Sequence, residues 1–358
     1  GSLSDRVGRR AVTGLGFACI SVGIMLYGVA PNVWGLLLAR CVYAVGIAAV
    51  STMLITLMAD YAQNASRGRA TGYLGIMNGL GAMTAALFLL RLPDMFQGAG
   101  FDASGAAIAT YGTMAGITGA VALVMFLGLR PGLPANHEDK PPLLTQLREG
   151  VTAAREPLIA LAYAASFVAR GNLAVVGTFF TLWGTLYGTG VLGMDTAAAV
   201  AKSGGVVAIS YAASLFSAPL FGWMSDRFHR VTALAVTLFI GAVGYGSTGF
   251  IENPFGGPAI VSLILIGMAE VGCIITSGVL IAEQAPERLR GSVVGIFTLS
   301  GAVGILIASV VGGYLFDHWI KPGPFVFFGA VSALVLLWAL VLRARGVATP
   351  AADAVTES

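Results

Sequence analysis

Ten stretches of this sequence run for about 20 residues or more with almost no charge, the length a helix needs to cross the hydrocarbon of a bilayer. They fall at residues 11–30, 33–59, 70–91, 106–129, 157–183, 196–221, 231–251, 258–282, 291–316 and 324–342. In lipid each backbone N–H and C=O must be paired within the protein, which leaves only helices and closed barrels. These runs are continuously apolar and do not alternate, so a barrel is excluded and an all-α polytopic membrane protein is expected. Composition agrees: 10% of residues are charged, against about 25% in a soluble domain. The 49 glycines, about twice the usual share, read as positions where helices approach closely, because lipid supplies no hydrophobic drive for their association.

The basic residues fix an orientation. Of 20 Lys and Arg, fifteen fall in connections on the side of residues 1–10, two (Arg91 and Lys321) on the other side, and three (Arg40, Arg170 and Lys202) within spans. The positive-inside rule then places both chain ends in the cytoplasm of a bacterial-type inner membrane. The net charge of +3 is scattered without forming a patch, so no nucleic-acid partner is expected. Cys19, Cys41 and Cys273 lie in apolar runs and His137, His229 and His318 in separate polar connections; neither set has metal-ligand spacing, and no metal or cofactor is expected. Residues 130–156, opening RPGLPANHEDKPP and continuing into a stretch with helical potential, read as a cytoplasmic linker between halves at 1–129 and 157–345. Residues 346–358, GVATPAADAVTES, read as a disordered tail.

The halves repeat. GSLSDRVGRR at 1–10 matches GWMSDRFHRV at 222–231 through Gly1/Gly222, Ser4/Ser225, Asp5/Asp226, Arg6/Arg227 and Arg9/Arg230. RGRAT at 67–71 matches RLRGS at 288–292 through Arg67/Arg288 and Arg69/Arg290, at the same offset of 221 residues. Both copies of each loop fall on the same side, so the halves are parallel repeats about an axis along the membrane normal, enclosing a central passage. The second half has two spans ahead of its copy of the SDR loop, so twelve helices are expected with two of them, about 65 residues, ahead of Gly1. The chain opens on Gly1 without a signal-like stretch, which reads as a start within a loop.

The Gly-x-x-x-Asp-Arg-x-Gly-Arg-Arg pattern of residues 1–10 resembles the signature loop between the second and third helices of the major facilitator superfamily, and residues 222–230 its weaker echo in the second half. The resemblance covers essentially the whole chain. It implies a cytoplasmic gate in which Gly1, Asp5, Arg6, Gly8 and Arg9, with Asp226, Arg227 and Arg230 in the echo, lock helix ends together. Asp60, at the next cytoplasmic helix end, is the expected partner of Arg9. His229 replaces the glycine in the second copy and implies a weaker lock there. From the residues alone, an aspartate at a helix N-terminus and an arginine bridging carboxylates contribute about 0.3–1 kcal/mol each when exposed, which suits a contact that must open. The plainer alternative is that these charges only fix topology.

Charges within spans cost about 2.5–3.5 kcal/mol each at a helix centre and require a partner or a watery cavity. Glu270 is the acidic residue deep in a span, and Arg170 lies at the centre of another. A carboxyl whose surroundings change as a gate moves gains and loses its proton with them, making Glu270 the candidate for proton coupling. It could instead form a permanent structural pair. Arg170 either binds substrate or neutralises Glu270, and Asn172 points about 200° away from it around the helix. Arg40 in LLLARCVYAVGIAAV resembles the family's fourth-helix motif, linked to proton transfer, with Gly46 fitting; otherwise it snorkels to the outer interface, as Lys202 does. GYLGIMNGLGA at 72–82 has the glycines of the family's exporter motif but Leu80 in place of its proline.

These features predict a monomeric secondary transporter moving a small organic solute by alternating access, driven by protons, with Arg40, Arg170, Glu270, Asn78 and Asn172 toward its cavity. Multidrug-type efflux and metabolite transport both remain open. The alternatives are a transport-inactive fragment or scaffold, or a membrane-embedded enzyme, for which no converging nucleophile, base or ligand set is present in the sequence.

Overall fold

The computed structural model describes residues 8–61, 67–129, 143–286 and 289–346, and all regular structure among them is helical. Ten of the helical segments are long and apolar enough to cross a membrane, at the places where the apolar runs fall. The chain divides into two compact units at Lys140 and Pro141.

The first unit contains α1 (Arg9–Val29), α2 (Val33–Tyr61), α3 (Arg67–Phe88), α4 (Leu92–Gly98) and α5 (Ala103–Gly128), with α1 packed between α2 and α5. The α1–α2 contact is made by glycines on both helices. A Cβ on Gly23 would meet the Tyr43 backbone at 2.7 Å, and one on Gly46 the Gly16 carbonyl at 2.6 Å. The third span does not stop at Arg91 as the sequence suggests. A 3-10 turn, Leu89–Arg91, leads into α4, whose Pro93 sits in the first turn, where its missing N–H costs nothing.

The second unit contains α6 (Leu143–Thr152), α7 (Pro157–Val175), α8 (Thr181–Gly190), α9 (Thr196–Arg227), α10 (Arg230–Ser247), α11 (Gly257–Gln284), α12 (Arg290–His318) and α13 (Gly323–Ala344). A π-helical turn, Val176–Phe180, joins α7 to α8 into one span. α7 is the centre of this unit, packed by α11, α12 and α13; α10 lies against α11 and α13, and α9 against α11. Gly171 faces the Phe328 ring and Gly304 of α12 faces the Phe167 carbonyl, so no side chain larger than hydrogen fits at either. Tyr245, Phe180 and Trp183 gather round Phe325 of α13, with centroids 6.1–6.4 Å from its ring.

The helical part of the expected linker belongs to this unit. Gly150 of α6 backs onto the Ser292 carbonyl of α12, and the Tyr163 hydroxyl donates to the Gly150 carbonyl at 2.9 Å. Residues 130–142 of that linker and residues 347–358 of the expected tail lie outside the described residues.

Candidate functional site

Glu270 sits near the middle of α11 and is 5% exposed. α11 is held there from three sides by contacts that depend on small or hydroxylated residues. The Cys273 thiol donates to the Ala165 carbonyl of α7 at 3.6 Å. The Ser214 hydroxyl of α9 donates to the Gly267 carbonyl at 2.7 Å, while Gly267 itself lies against the Ser210 backbone. On the third side Gly241 of α10 faces Ala269, and the Thr237 and Thr276 hydroxyls meet at 3.4 Å.

Among the described residues no hydrogen bond or ion pair reaches the Glu270 carboxyl, and its Oε2 is buried without a partner. Tyr211 of α9 and Tyr245 of α10 stand within electrostatic range. The Tyr245 hydroxyl, the Ser210 hydroxyl and Asn172 Oδ1 are also buried without partners. A buried polar group without a partner costs about 1–3 kcal/mol, so four such groups, on α11 and on the three helices packed against it, destabilise this part of the unit.

Arg170 does not neutralise Glu270. It is exposed, and its aliphatic stem runs along Gly301 of α12, on the far side of α7 from α11. Asn172 is 1% exposed, on the opposite face. Arg40 is exposed, its guanidinium 5.8 Å from the centre of the Tyr43 ring. Asn78 is exposed, and Lys202 is exposed with its ammonium 4.6 Å from the Phe255 ring centre. The structure therefore brings Tyr211 and Tyr245 within electrostatic range of Glu270 and places Asn172, buried, on the adjoining helix α7, while Arg170 lies apart. The two tyrosines carried no charge or motif to single them out in the sequence. Among the described residues no three His, Cys, Asp or Glu side chains converge as metal ligands.

Of the gate residues, Gly1, Asp5 and Arg6 and the Asp60 side chain lie outside the described residues. Gly8, at φ 94°, and Arg9 open α1. Asp226 and Arg227 close α9, exposed, with Arg227 5.9 Å from the Trp223 ring centre. Arg230 opens α10 and donates through Nε at 2.7 Å and Nη2 at 2.6 Å to Oε1 of Glu283, at the end of α11. Glu283 was not among the expected gate residues. The 221-residue offset carries Asp60 to Ile281, two residues short of Glu283 and on the other side of the helix, so the repeat pointed to this helix end but not to the residue.

The sequence profile described as Major Facilitator Superfamily matches residues 1–254 and again 200–357. Magnetosome protein MamZ of Paramagnetospirillum magneticum is 30% identical over 357 residues, 97% of this chain and 54% of MamZ. Magnetosome protein MamH of the same organism is 28% identical over 354 residues, 96% of this chain and 79% of MamH. This chain thus spans about half the length of the first relative and about four-fifths of the second. Among solved structures, the nucleoside transporter NupG superposes with a TM-score of 0.72 over 96% of this chain and 85% of its own, at 12% identity, a likeness of fold.

Proposed function

Since this chain belongs to the major facilitator superfamily, we propose that it is a secondary transporter that moves a small solute across its membrane by alternating access, coupled to protons through Glu270. The observation that carries the coupling is the Glu270 carboxyl itself, buried mid-span with no basic partner among the described residues. A permanent charge there would be far costlier than a carboxyl that holds its proton while dry and releases it when water arrives. The reading includes cytoplasmic gate contacts within each half, at the ends of α1 and α2 in one and of α9, α10 and α11 in the other. The Arg230–Glu283 pair supports it, being half-exposed and worth about 0.2–1 kcal/mol, weak enough to break in each cycle.

The similarity to the magnetosome proteins MamZ and MamH over nearly the whole chain supports a place for this transporter among magnetosome proteins. A fluorescent fusion expressed in Paramagnetospirillum magneticum is expected to co-localise with magnetosomes; uniform labelling of the cell envelope would contradict that placement.

The coupling is tested in proteoliposomes carrying the full-length protein, after a thermal-stabilisation screen of metabolites, amphiphilic compounds and inorganic ions has identified a solute. Glu270→Gln is expected to abolish accumulation driven by a pH gradient while leaving solute binding. Undiminished flux with an unchanged pH profile would remove Glu270 from the mechanism.

A further inference from the structure

Asn172 and Glu270 are both buried, and an oxygen of each lacks a partner among the described residues. The bond from Cys273 to the Ala165 carbonyl sets the register of α7 against α11. Asn172 lies seven residues beyond Ala165, two turns on, so it occupies the same face of α7 about 10.5 Å further along. Glu270 lies three residues before Cys273 and, the two helices being antiparallel, about 4.5 Å in the same direction. Their Cα atoms differ in height by about 6 Å. Side chains slope toward the N-terminus of their own helix, so Asn172 leans down α7 and Glu270 leans up α11, each toward the other.

A carboxylate and an amide carbonyl both only accept hydrogen bonds, and face to face they repel. With Oδ1, the buried and unpartnered atom of the Asn172 amide, turned to the carboxyl, the two are joined only when the carboxyl carries a proton; an ionised carboxylate would need the amide turned over to present its Nδ2–H. We infer that Asn172 is a positioning residue for the coupling proton: neutral Glu270 donates its O–H to Asn172 Oδ1, and this bond between α7 and α11 breaks when the proton leaves, the amide having to turn over before it could bond the carboxylate. The titratable groups facing Glu270 are Tyr211 from α9, Tyr245 from α10 and Cys273 from α11 itself. α7 turns its own Arg170 and Tyr163 away, toward α12 and α6. The inference rests on Glu270 being the proton site.

The test is pH-induced infrared difference spectroscopy on the full-length protein in vesicles, which needs no solute. A protonated-carboxyl band absent from Glu270→Gln is expected. In Asn172→Leu and Asn172→Ala that band should move to higher wavenumber, and its titration midpoint should fall by about one pH unit, the effect of one lost hydrogen bond. Asn172→Gln, which keeps the carbonyl, should stay near the unsubstituted band. Two removal variants guard against one failing to fold. If both leave band and midpoint unchanged, the inference is wrong while Glu270 stands as the proton site. If no band is assignable to Glu270 at any pH, the reading of Glu270 as the proton site falls with it.

Discussion

How near α9 can come to α11 is decided by a hydrogen atom at Gly267. A methyl group there would meet the Ser210 backbone, which cannot rotate away as a side chain could. Gly267→Ala should therefore cost about 1–3 kcal/mol through overpacking, read as a lower unfolding temperature in detergent. Gly278, three turns further along the same helix face, has nothing within 4 Å of a built Cβ. Gly278→Ala should be neutral or stabilise by up to about 1 kcal/mol. At this scale the sequence exposed the intramembrane charges, because each violates the hydropathy around it. It did not reveal their partners. Arg170 and Glu270 lie at the centres of their spans, and a pair between them was one of two readings, yet Gly301 leaves room for the Arg170 stem on the opposite face of α7. That rotational setting comes from packing between helices distant in sequence and leaves no trace in either helix alone.

Helix ends were legible because charge, proline and glycine interrupt the apolar runs; helix continuations were not. The π-helical turn at Val176–Phe180 widens the helix without breaking it, and the inserted residue shifts the faces before and after it. A fixed periodicity therefore loses the second part. The gate loops illustrate the same limit to repetition: Gly8 has φ 94° and the matching His229 φ −53°, so the two copies enter their helices by different turns. The Arg230–Glu283 pair binds the start of α10 to the end of α11. In a double-mutant cycle of thermal unfolding, Arg230→Gln and Glu283→Gln should each destabilise slightly, with a coupling of about 0.2–1 kcal/mol that falls as salt is raised. A coupling indistinguishable from zero at low salt would make the contact irrelevant to the gate.

For the molecule as a whole, the 221-residue repeat was the most informative feature of the sequence, since it set the expectation of two similar halves before any helix was placed. Six spans lie between the loop before α1 and the loop before α10, and an even number returns the chain to the face it left. With the three native cysteines replaced, Leu3→Cys and Phe228→Cys should react with a membrane-impermeant thiol reagent from the same side of sealed vesicles. Reaction from opposite sides would overturn the parallel arrangement. One native thiol offers a different measurement. Cys273 is 2% exposed and closed against α7 one turn from Glu270, whereas Cys41 is exposed and Cys19 only partly covered. A small lipid-permeant alkylating agent can reach Cys273 only while α7 and α11 stand apart. Its rate of modification is thus a clock for the parting of those two helices, running in the unlabelled protein and requiring no knowledge of what is carried.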